Sequence, residues 1–100
     1  MTVQLWQTRA PDLVAGVKLY PTESGGKSVA ARLGWGCLCF RSKDTTEQGW
    51  DAARLQLGDL PLEPGTERRV GFVFLSDEGA EAMRRQGRFF LWEGGFVGEA

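Results

Sequence analysis

The chain contains no histidine, only two cysteines and one tyrosine, and no hydrophobic run approaches the ~18 residues of a membrane-crossing helix. Without histidine, imidazole metal sites and any histidine general base are excluded. Its 12 basic residues nearly balance its 13 acidic ones, which argues against a strongly basic nucleic-acid coat and against an acidic tail. Any contact with nucleic acid would therefore need a local patch. The start of the chain lacks a basic stretch followed by an apolar run, so the expectation is a cytoplasmic protein without a membrane segment. Cys37 and Cys39 lie two apart in a strand-like run, which puts both on one face as small core residues. A redox or metal role would need partners from elsewhere.

Glycine and aromatic residues are plentiful instead. One hundred residues, 42% of them hydrophobic, with four Trp and six Phe, suffice for a single domain with a modest core. Two glycine doublets, Gly25-Gly26 and Gly94-Gly95, sit between strand-like segments and supply the backbone freedom of tight hairpins. Residues 12–19 alternate Leu13, Ala15, Val17 and Leu19 against more polar neighbours, a strand period. Residues 1–11 form an arm or edge strand ending at Pro11, and the barrel domain is assigned to residues 12–100. Residues 28–33 and 36–41 read as strands, with Gly34 and Gly36 bracketing Trp35 as a bulge or bend.

Residues 42–49 are polar and loop-like. Residues 50–57 read as a strand, with a helical turn as the alternative. The two prolines and two glycines of residues 58–65 mark a connection, and Pro64-Gly65 favours a type II turn. Residues 66–75 make the clearest strand. Ser76 then caps a helix from Asp77 to about Arg85, which Gly87 ends. Residues 88–93 and 96–99 are strands joined by the second doublet. The reading is an all-β fold, a closed or nearly closed six-stranded barrel with one short helix, with a sandwich as the runner-up. Its bore cannot hold all the Trp and Phe side chains, so some aromatics must lie outside. Trp6, Trp35, Trp50 and Trp92 are the candidate anchors of a protein-interaction surface.

Gly26-Lys27-Ser28 matches the end of a phosphate-binding loop, but that spacing requires glycine where Pro21 stands. No acid and base pair, activated nucleophile or cofactor loop is visible. The expectation is a non-enzymatic chain without cofactor, catalytic residue or metal site.

Arg9-Ala10-Pro11-Asp12, Leu19-Tyr20, Glu23-Ser24-Gly25-Gly26-Lys27, Gly34-Trp35, Phe40-Arg41-Ser42-Lys43-Asp44, Glu63-Pro64-Gly65, Arg88-Phe89 and Glu93-Gly94-Gly95 with Val97-Gly98 together resemble the C-terminal β-barrel, domain III, of elongation factor Tu. The resemblance covers residues 9–99 and implies a six-stranded Greek-key barrel without the GTPase domain or the second barrel. In that family the domain contacts the T-arm of aminoacyl-tRNA, the exchange factor and the GTPase domain. Carried over by position, Lys27, Thr46, Glu93 and Gly94 become the candidate RNA-binding residues. The family's Pro-Gln-Phe segment is missing, with Cys37-Leu38-Cys39 in its region, and the His-Thr-Pro after the basic residue is replaced by Ser28-Val29-Ala30. The leading expectation is therefore a protein-interaction module, linked to the translation machinery by the resemblance, with an unidentified protein partner. A tRNA-binding module using Lys27, Lys43, Arg84, Arg85 and Arg88 is the alternative. A barrel lacking its companion domains would expose their docking surface, which predicts a homodimer.

Overall fold

The computed structural model describes residues 9–44 and 50–100. Six antiparallel strands close a barrel in the order β1-β4-β3-β2-β5-β6. They are β1 (Leu13–Leu19), β2 (Gly36–Phe40), β3 (Trp50–Gln56), β4 (Glu67–Phe74), β5 (Phe90–Trp92) and β6 (Phe96–Glu99). Strands β2, β3 and β4 are neighbours in sequence and in space, and β1 returns beside β4, which makes the arrangement a Greek key. Closure is completed by the short β1–β6 pairing of Lys18 with Glu99 and Leu19 with Gly98, which reduces the free sheet edge that could recruit another chain.

Alternation decides which residues fill the bore. Val17 and Leu19 of β1, Cys37 and Cys39 of β2, Leu55 of β3, Val70 and Phe72 of β4 and Leu91 of β5 all point inward and are buried. The two thiols are free and lie on one strand face. A hydrogen bond with Cys37, followed by burial, pushes the Cys39 thiol far above its ordinary value. Both act as small core residues.

The helix α1 (Asp77–Gln86) follows β4. The Ser76 hydroxyl accepts from the Gly79 amide at 3.0 Å and donates to Asp51 Oδ2 at 2.5 Å. Asp77 and Glu78 occupy the first turn, and Arg84 and Arg85 the last, each sign complementing the helix dipole. Gly79 is needed because a Cβ there would stand on the Asp51 carboxylate. Ala80 and Met83 seal the barrel from that side, and Gly87 in the left-handed region ends the helix.

Two expectations need correction. Residues 28–33 do not form a strand of the sheet. Only Ala31 pairs, in an isolated bridge with Leu62. An alternating strand would bury Val29, Ala31 and Leu33 together, yet Val29 and Leu33 are exposed, so this stretch is a crossover from β1 to β2. Consequently Gly25-Gly26 is not a hairpin between strands. Gly25, with φ of 93°, closes a 3-10 turn over Thr22–Ser24. Gly26 is required for space, because a Cβ there would overlap the Tyr20 carbonyl. The second doublet does join β5 to β6. The Glu63-Pro64-Gly65-Thr66 turn has Gly65 at φ 80° and Thr66 N–H bonded to Glu63 O at 3.3 Å, the type II geometry. Residues 1–8 of the expected arm or edge strand over 1–11, and residues 45–49 of the expected loop over 42–49, lie outside the described residues.

Candidate protein-docking face

The barrel carries two aromatic clusters on opposite sides of its wall. Phe72, Phe74 and Phe89 pack together in the interior, with ring centroids 5.3–6.3 Å apart. The second cluster lies outside. Because Cys37, Cys39 and Leu91 point inward, Leu38 and Phe40 of β2 and Phe90 and Trp92 of β5 must point outward. Pairing then aligns them across strands. Trp92 stands opposite both Leu38 and Phe96, Leu38 opposite Ala52, and Phe40 opposite Phe90.

These rings interlock. Trp92 meets Phe96 at 5.0 Å and 87°, Phe40 meets Phe96 at 5.6 Å and 78°, and Phe90 meets Phe96 at 6.2 Å and 77°. Phe40 is only 9% exposed although it lies outside the bore, since Trp92 and Phe96 cover it. Edge-to-face contacts of this kind stabilise by about 1 kcal/mol each beyond area burial.

Beside the rings lies a groove of about 530 Å³. Gly34, Gly36, Ala52 and Gly94 have little or no side chain, and that absence makes the depression; Leu38, Trp92, Arg54 and Leu75 form its floor and walls. Leu75, at the end of β4, is 81% exposed. A large, solvent-facing leucine next to half-buried aromatics is the composition of a recognition surface.

One end of the groove is held by an ion pair. Lys27 Nζ donates to Glu93 Oε1 at 2.6 Å, and Trp35 Nε1 donates to Glu93 Oε2 at 2.7 Å. The ammonium also sits 5.0 Å from the Trp35 ring centre. Burial pushes the Glu93 carboxyl up, but the hydrogen bonds from Lys27 and Trp35 outweigh it and hold the group below its usual range. The Lys27 side chain is only 7% exposed, so its charge is spent on Glu93 and Trp35 within the fold.

On the aromatic cluster, Lys43 Nζ lies 4.7, 5.4 and 5.9 Å from the ring centres of Tyr20, Phe90 and Phe96. Arg88 covers Phe90 at 5.4 Å and donates to Glu99 at 2.9 Å. The Tyr20 hydroxyl donates to the same carboxylate oxygen at 3.1 Å. Arg88 and Tyr20 hold Glu99 below the usual carboxylate range.

The residues chosen from sequence are thus partly gathered. Trp92 belongs to the outer cluster, and Trp35 stands at the rim through Glu93. Trp50 pairs with Phe40 through the backbone, while Trp6 and Thr46 lie outside the described residues. Lys27 and Glu93 meet directly, and Gly94 lines the groove next to them. The five cations considered for RNA divide by partner: Lys27 binds Glu93, Lys43 and Arg88 share Phe90, and Arg84 and Arg85 both bind Glu81. Reading the sequence for tryptophan missed Tyr20, Leu38, Phe40, Phe90, Phe96 and Leu75. The signal was present in GCLCF and RFFLW, where both alternating faces are apolar and both therefore need cover.

No protein-family model matches the chain, and no curated protein matches it. Among the described residues no group of three or more Cys, Asp or Glu side chains is arranged to hold a metal ion, and no helix is long and apolar enough to cross a membrane.

Proposed function

We propose that this chain is a non-enzymatic protein-interaction module that docks a protein partner on the outer face of β2, β3, β5 and β6. The observation that carries the reading is the second aromatic cluster, placed on the outer face of the barrel and continuous through Trp92 with a groove walled by the exposed Leu75. Rigid aromatic anchors lose little conformational entropy on binding and contribute most of the energy at interfaces. The elongation-factor resemblance adds the translation machinery as the setting, and the free thiols Cys37 and Cys39 suit a reducing cytoplasm.

A photo-crosslinking residue placed at Leu75 in living cells tests this, with the same residue at Leu60 as a control outside the groove. A protein adduct from position 75 and none from position 60 is expected. An adduct between two copies would make the partner a second chain. An adduct destroyed by ribonuclease would replace the protein reading with the tRNA one, and absence of any adduct would remove docking at this face.

A further inference from the structure

The docking face is charged asymmetrically, and that asymmetry bears on the partner's chemistry. Lys43 is held over three rings, and none of the ion pairs among the described residues includes it. At this surface Lys27 and Arg88 each have a carboxylate partner already. A cation resting on aromatic faces is partly desolvated by them yet keeps hydrogen-bond donors directed away from the rings. It is therefore set to accept an anion brought by another molecule, and a charge-assisted bond there is stronger than one to a fully hydrated lysine.

We propose that the partner segment is a short extended peptide carrying an acidic residue beside an apolar one, the carboxylate on Lys43 and the apolar side chain in the groove along Leu38, Ala52 and Trp92. This rests on the protein-docking reading. Spacing follows from the rings. Lys43 Nζ is 5.9 Å from the centre of Phe96, which is 5.0 Å from that of Trp92, so the ammonium and the groove wall are no more than about 11 Å apart. At about 3.3 Å per extended residue, acid and anchor lie within about three positions of each other.

A peptide fits better than single-stranded RNA. Bases need open ring faces on which to stack. Here Trp92, Phe40 and Phe90 each meet Phe96 at steep angles, and Lys43 and Arg88 cover Phe90.

The test is selection from a random linear peptide library displayed on phage, using wild type, Lys43→Arg, Lys43→Glu and the groove-plugging Ala52→Lys. Wild type and Lys43→Arg should enrich Asp or Glu within about three residues of Leu, Ile, Phe or Trp. Synthetic copies should bind Lys43→Glu at least about tenfold more weakly. Lys43→Glu should itself enrich Lys or Arg at the acidic position, a gain that misfolding could not produce. Wild-type peptides that are indifferent to charge but still lost with Ala52→Lys would overturn the acidic partner while leaving the docking face intact. Absence of enrichment over Ala52→Lys would overturn both. Saturable, salt-sensitive binding of a uridine-rich RNA, abolished by Lys43→Glu, would overturn the peptide in favour of nucleic acid.

Discussion

Removing either member of the Lys27–Glu93 pair should have very different consequences. Lys27 is 7% exposed and Glu93 is 45% exposed. Truncating Glu93 strands a buried ammonium with only the Trp35 ring beside it. Fully buried pairs lose about 3–5 kcal/mol when one partner is removed. The exposed side of Glu93 admits water, which reduces the expected cost of Glu93→Ala to about 2 kcal/mol. Lys27→Met instead replaces the buried charge with a side chain of similar length, and Glu93 can hydrate while keeping its bond from Trp35. Its cost should stay below about 1 kcal/mol. In the Lys27→Met background Glu93→Ala should then cost little, giving a coupling energy of about 1.5 kcal/mol. Urea unfolding followed by far-UV circular dichroism measures this. With a slope of roughly 1–2 kcal/mol per molar, Glu93→Ala moves the midpoint down by about 1–2 M and Lys27→Met moves it by less than half as much. Equal losses from both variants, or a strictly additive double variant, would refute the idea that burial of the ammonium sets the asymmetry.

Acid should weaken the fold through Glu93 and Glu99. Both carboxyls are held below their ordinary value of 4.5 in the folded chain, so the unfolded chain binds more protons, and the stability they add is present above about pH 4.5 and lost as pH falls through the folded values. Urea midpoints measured from about pH 6 to about pH 3 should fall, and Glu93→Gln should flatten the slope. Gly79→Ala should destabilise by about 2 kcal/mol through collision with Asp51, against the gain of about 1 kcal/mol that helix propensity alone would give; thermal unfolding decides the sign. In native buffer Cys37 and Cys39 should react with a thiol reagent far more slowly than in urea, because burial and their mutual hydrogen bond keep Cys39 protonated; equal rates would show that the barrel wall opens readily.

The strands with one apolar face could be located from their pattern. In LVAGVKL the inward set is Leu13, Ala15, Val17 and Leu19, and in ERRVGFVF it is Val70, Phe72 and Phe74. The helix showed its cap, its charged ends and its terminating Gly87 in the sequence because those signals act within one turn. Residues 28–33 misled because Val29, Ala31 and Leu33 have strand spacing, while pairing depends on whether a neighbouring strand has a free edge. β1 already has β4 and β6 as neighbours, and β2 has β3 and β5, so the crossover could only bridge to Leu62.

By itself the sequence determined the all-β class, the single short helix, the inward-facing residues and the surplus of aromatics over interior volume, since each depends on local periodicity or on composition. Tertiary structure alone decided which aromatics became the surface. Phe40, Phe90, Trp92 and Phe96 come together because β2 lies between β3 and β5, an adjacency set by closure of the barrel and by the crossover of β4 into β5. It likewise joined Lys27 to Glu93, 66 residues apart, and laid Lys43 over rings from three separate segments, contacts that no local pattern encodes.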